Sequence, residues 1–202
     1  MYKPFYLVAL LLPIPSFADF VFSGSFTQDD NELYYQFTIA ATSTVTLESF
    51  SYGGDGGSVP AGGFAPVLSL FGPVTSIDPN LITTDEGGTA PGSCGSRLID
   101  PNTHLCLDAD VTQLLGPGNY LVVLTENYNI PNGPDLATGF PETGAGNFTG
   151  GFIDPFGNQR TPNFDFTISG ADSAEALPEP STVSLLIAGL GVLVCRRKMR
   201  LR

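Results

Sequence analysis

The stretch Leu33-Tyr34-Tyr35-Gln36-Phe37-Thr38-Ile39 puts an apolar side chain at every second position, with Tyr34, Gln36 and Thr38 between. A period of two is that of a β-strand with one face buried. Working outward, Val45 and Leu47 alternate with Thr44, Thr46 and Glu48, and Phe164, Phe166 and Ile168 alternate with Asp165, Thr167 and Ser169. The runs Val67-Leu68-Ser69-Leu70-Phe71 and Tyr120-Leu121-Val122-Val123-Leu124 are almost continuously apolar, which suits central strands covered on both sides. Helical periodicity is not sustained anywhere between 19 and 172, and at most one helical turn is expected, at 110–115. These features predict an all-β protein with a single β-sandwich of jelly-roll type over residues 19–172.

The segment 127–163 has a different character, with glycine, proline and asparagine scattered among the isolated aromatics Phe140, Phe148, Phe152 and Phe156. So long a loop is unusual inside a compact domain. It reads as an ordered excursion pinned by its phenylalanines, or as a short hairpin that the pattern does not locate.

Composition narrows the function. The chain has 202 residues, with 8 Lys+Arg against 20 Asp+Glu and a formal charge of −12. A surplus of acid on this scale repels a phosphate backbone, which argues against a nucleic-acid partner. The ends account for most of the cations. Residues 1–18 carry Lys3, a run of apolar residues and then Ser16 and Ala18 ahead of Asp19. This is the pattern of a secretory signal peptide cut between Ala18 and Asp19, with a buried N-terminal strand as the alternative. Setting both ends aside leaves Arg97 and Arg160 against 19 carboxylates, a net of −17.

At the other end a linker, 173–180, closes with Leu177-Pro178-Glu179-Pro180. An uncharged segment 181–195 follows, and then the basic tail Arg196-Arg197-Lys198-Met199-Arg200-Leu201-Arg202. A helix breaker, an apolar helix and a positive stop place the tail in the cytoplasm and residues 19–177 outside. At about 1.5 Å per residue the helix spans only about 22 Å, a marginal membrane anchor. This order resembles the PEP-CTERM sorting signal of Gram-negative bacteria, with Pro178, Glu179 and Pro180 on the tripeptide and Arg196, Arg197 and Lys198 as the membrane stop. The resemblance implies processing by exosortase, a membrane-embedded cysteine transpeptidase. It also implies a single-pass membrane intermediate and delivery to the cell surface or the exopolysaccharide matrix. A permanent single-pass anchor is the alternative.

The sandwich itself resembles the bacterial pre-peptidase C-terminal type. The resemblance rests on Gly24-Ser25-Phe26, Asp29-Asp30 before Tyr34-Tyr35-Gln36-Phe37-Thr38, Pro66-Val67-Leu68-Ser69-Leu70-Phe71, Asp85-Glu86-Gly87-Gly88, and Gly116-Pro117-Gly118-Asn119-Tyr120. It implies a fold and no particular activity.

Cys94 and Cys106 lie in the exported part, whereas Cys195 ends the apolar segment. In an oxidising compartment Cys94 and Cys106 are expected to pair, and closing a loop of that length is worth about 3 kcal/mol. A metal site using both thiolates with His104 is the alternative, although the spacing is not that of a structural zinc site.

Enzymatic motifs are missing from the sequence. His104 is the single histidine, no Gly-x-Ser-x-Gly or His-Glu-x-x-His occurs, and the glycines of 53–57 precede neither a lysine nor a helix. The acids carry the remaining possibility. Asp29, Asp30, Asp85, Asp108 and Asp110 lie in or beside bendable loops, the setting in which Ca2+ collects oxygen donors, with plain solvated acids as the alternative. The sequence therefore predicts a non-enzymatic surface or matrix protein. Its expected partners are signal peptidase, exosortase, the membrane in transit, and exopolysaccharide. The rival is a secreted glycan-active enzyme or a carbohydrate-binding accessory domain.

Overall fold

The computed structural model describes residues 19–88, 94–95 and 97–178. Nine strands follow in chain order: β1 (Phe20–Ser25), β2 (Leu33–Ile39), β3 (Ser43–Ser49), β4 (Pro66–Phe71), β5 (Leu81–Asp85), β6 (Asp110–Leu115), β7 (Gly118–Glu126), β8 (Asn163–Ser169) and β9 (Ser173–Ala176). One sheet has the order β1-β8-β3-β6 and the other β5-β4-β7-β2-β9, with every pairing antiparallel. Each sheet thus interleaves strands from early and late in the chain, as the paired Greek keys of a jelly roll do.

The period-two residues meet between the sheets. Tyr35, Phe37 and Ile39 of β2, Leu68 and Leu70 of β4 and Val122 and Leu124 of β7 pack against Val45, Leu47, Val111, Phe166 and Ile168 of the opposite sheet. Rings do much of the filling: Tyr35 meets Phe166 edge-on at 4.7 Å and Phe37 stacks on Tyr120 at 5.5 Å. The continuous apolar runs have the expected cause, since both faces of β4 and most of β7 are buried. On the outer face of that sheet Phe71, Leu121 and Val123 are covered by Phe140 and Leu136 from the excursion, together with Leu177.

The excursion is therefore ordered. Phe140 and Phe152 are buried and pin it, a 3₁₀ turn (Leu136–Thr138) capped by Asp135 interrupts it, and Phe156 stays exposed.

Two expectations need correction. Residues 110–115 form the edge strand β6 and not a helical turn, because Val111 and Leu115 reach the core only when that segment pairs with β3. Sheet structure also continues past Asp172, where β9 adds residues expected as linker to the edge of β2. Among the described residues no helix is long and apolar enough to cross a membrane. The signal peptide expected at 1–18, the helix expected at 181–195 and the basic tail at 196–202 lie outside the described residues.

Candidate functional site

Of the residues assigned to export, Asp19 and Pro178 are described. Asp19 is exposed just before β1, and Ala18 lies outside the described residues. At the other end Leu177 donates its N–H to the Tyr34 carbonyl at 2.8 Å and packs on the outer sheet face, and the next residue, Pro178, is exposed. Leu177, which makes these contacts, directly precedes the tripeptide. Glu179, Pro180, Arg196, Arg197 and Lys198 lie outside the described residues.

Cys94 and Cys106 form a disulfide, with their Cα atoms 5.5 Å apart, so neither is a thiolate ligand and the metal reading with His104 falls. His104 itself is exposed on a turn with left-handed backbone, φ 61°.

The five acids expected around Ca2+ do not share a cage. Asp29 is buried and accepts the N–H groups of Phe148 at 2.9 Å, Thr149 at 2.9 Å and Gly151 at 3.3 Å, plus the Thr149 hydroxyl at 2.5 Å. Asp30 accepts from the Gly146 N–H at 2.9 Å. The pair therefore ties down the far half of the excursion. Asp85 and Asp110 come together elsewhere: Asp85 pairs with Arg97 at 2.6 Å and accepts the Asp110 N–H at 2.8 Å. Asp108 is separate again, accepting from the Ser49 hydroxyl and the Tyr52 and Gly53 N–H groups. Burial pushes the Asp108 carboxyl up to about 6 against the pull of those donors. Among the described residues no group of three or more His, Cys, Asp or Glu side chains is placed to hold a metal ion.

A role in loop anchoring makes Asp29 testable. Asp29→Asn keeps the shape but removes the charge and one of the two acceptor oxygens, so it is expected to cost about 2 kcal/mol and to expose 140–151 to protease first. Urea unfolding and the position of the first proteolytic cut check this.

Beneath one end of the sandwich a buried polar network joins three loops. Arg160 donates to the Gly63 carbonyl at 3.0 Å and the Tyr52 carbonyl at 2.9 Å, pairs with Asp100 at 2.9 Å, and lies 3.9 Å over the Tyr52 ring. Tyr52 is fully buried and donates its hydroxyl to Asp154 at 2.6 Å. Burial works to raise the Asp100 carboxyl, but the Arg160 bond and the N–H groups of Thr103 and Asn102 outweigh it and leave the group below its ordinary range. Asp154 is likewise held low: the Tyr52 and Asn158 bonds overcome its burial. Glu126 has no such help. It is fully buried at the end of β7, and among the described residues neither carboxyl oxygen has a hydrogen-bond partner. Burial first, then the charges of Asp29 and Asp154, push it up to about 9 despite Arg160. At neutral pH the Glu126 carboxyl is protonated.

Above this network lies an open groove of about 450 Å³ on the outer face of the four-stranded sheet, walled by the loop between β3 and β4. Its position depends on Gly63, where a Cβ would fall 2.4 Å from the Asn163 carbonyl oxygen and 2.6 Å from that of Ser51. Only glycine lets the loop lie this close to the start of β8. Ser23, Asn163 and Asp165 line the floor, and Val59 and Pro60 the wall. Asp165 is 9% exposed, and burial, then the charge of Asp55, raises its carboxyl above the ordinary range. None of these groove residues was singled out by the sequence, because a polar residue alternating with core phenylalanines reads as a solvated face. The one available signal was an acid mid-strand in a chain whose glycine-rich loops can fold over a sheet.

No curated protein matches the chain. Residues 176–200 match the family model of the PEP-CTERM protein-sorting motif. The chain therefore carries the PEP-CTERM sorting motif, which implies export, a membrane-anchored sorting intermediate and processing by exosortase.

Proposed function

We propose that the protein is a non-enzymatic surface or matrix module: exported, held briefly by its C-terminal helix, trimmed by exosortase and released into the exopolysaccharide layer, where the sandwich adheres or gives structure. The observation that carries this reading is the sorting motif at 176–200, which begins where β9 ends. A disposable signal that starts at the last residue of the last strand of a disulfide-linked sandwich suits a passenger that works after the signal has gone. Calcium is not part of this reading, since Asp29, Asp30 and Asp108 anchor backbone and Asp85 pairs with Arg97 instead.

One observation favours the rival reading of a glycan-active enzyme. Asp55 lies within electrostatic reach of Asp165, and paired carboxylates are what glycoside hydrolysis requires. Incubating the exported protein with the producer's own polysaccharide separates the two. Retention on the polymer without shortening is expected, whereas new reducing ends would establish the enzyme. Fractionation of the producing strain is expected to place the protein at the surface or in the matrix, and recovery from the cytosol would contradict the proposal.

A further inference from the structure

The outer-face groove offers polar groups that the protein leaves unused. Among the described residues no donor reaches the Asp165 carboxylate; its hydrogen bonds are all made by its backbone, with Ser51 and Phe50. The carboxylate is not sealed in, because Asp165 lines the open groove. Ser23 is its cross-strand partner on β1 and Asn163 lies two residues earlier on β8, so all three side chains leave the same sheet face. Neither the Ser23 hydroxyl nor the Asn163 amide is engaged by another group among the described residues.

The result is a row consisting of an acceptor, a hydroxyl and an amide, with Asn163 and Asp165 about 7 Å apart along the strand. Opposite it, Val59 and Pro60 give an apolar wall, and the volume is that of a small-molecule site. A ligand for such a place needs closely spaced hydroxyls to serve the carboxylate and amide, and C–H faces for the wall. It should carry no negative charge, since Asp165, Asp55 and the surplus of acid would repel one.

We propose that this groove binds an uncharged carbohydrate, with Asp165 accepting sugar hydroxyls, Asn163 and Ser23 completing the polar contacts, and Val59 and Pro60 packing on the ring. This deepens the matrix reading and rests on it for the source of the sugar, but the binding itself is testable apart from sorting.

The test uses the full chain purified in detergent and the producer's exopolysaccharide separated by anion exchange into neutral and acidic fractions. Binding to the neutral fraction is expected, weakened about tenfold in Asp165→Asn, which is nearly isosteric, and abolished in Ser23→Arg. The Ser23→Arg change adds a long cation at an exposed strand position directly across from Asp165 and occupies it. Unchanged melting temperatures would confirm that both variants are folded. Failure to bind the neutral fraction, a preference for the acidic one, or wild-type binding by both folded variants would overturn the proposal. If the neutral fraction binds as expected while the protein is found in the cytosol, the matrix reading fails and the site stands.

Discussion

Replacing Glu126 by Gln is expected to raise the melting temperature at pH 8.5 by roughly 10 °C and to flatten its dependence on pH above 6.5. The sign follows from the proton balance. The folded protein holds the Glu126 proton up to about pH 9, whereas the unfolded chain releases it near its ordinary value. Between those values the folded state binds the extra proton, so stability is greatest at the acid end and falls as pH rises. From pH 6.5 to 8.5 the loss is about 3 kcal/mol. The other raised carboxyls add to the trend at lower pH, Asp108 below about 6, while Asp100 and Asp154, held low, contribute stability that is lost only on strong acidification. Glutamine keeps the shape without a charge to bury. General repulsion among the remaining acids has the same sign, so the melts should be run at about 0.5 M salt, which screens exposed charges and leaves the buried group untouched. A pH-independent melting temperature, or a Gln variant less stable than wild type at pH 8.5, would show that the carboxylate is ionised and partnered.

The second large effect is expected at Arg160. Its guanidinium serves two carbonyls, a carboxylate and an aromatic face at once, and Asp100 is fully buried beside it. Arg160→Met leaves that carboxylate buried without its cation, at a cost of about 3–5 kcal/mol in urea unfolding. Adding Asp100→Asn should recover a good part of the loss, since an amide oxygen can still accept the Asn102 and Thr103 N–H groups. Arg160→Lys is expected to fare little better than Met, because an ammonium cannot reproduce the planar fork. If the double variant were as unstable as the single, packing and the carbonyl contacts, not the orphaned charge, would be the cause.

The sandwich was legible because its core strands alternate strictly. Tyr35, Phe37 and Ile39 face inward as their spacing requires, and the nearly continuous apolar runs of β4 and β7 announce two covered faces. Strand β6 is ambiguous in the sequence because Val111, Leu114 and Leu115 also fit one helical turn; pairing with β3 decides the matter, and Leu114 is left 65% exposed. Strand β9, Ser-Ala-Glu-Ala, has no apolar signature, and only backbone pairing to β2 makes it a strand.

The acids were less legible for a different reason. A carboxylate in a loop looks alike whether it meets water, a cation or backbone, and the donors that claim Asp29 lie more than a hundred residues away in the chain. The disulfide depended only on two cysteines in one exported loop, and could be read. The groove could not, because it exists only where the Gly63 loop crosses β8.

The most direct test of the export itinerary is the intact mass of the protein recovered from the producing strain, with and without its exosortase. With the enzyme present, the mass is expected to lack residues 1–18 and the segment beyond the Pro-Glu-Pro tripeptide, and deletion of the enzyme should restore the C-terminal part. A protein that keeps its apolar helix and basic tail in both strains would contradict it.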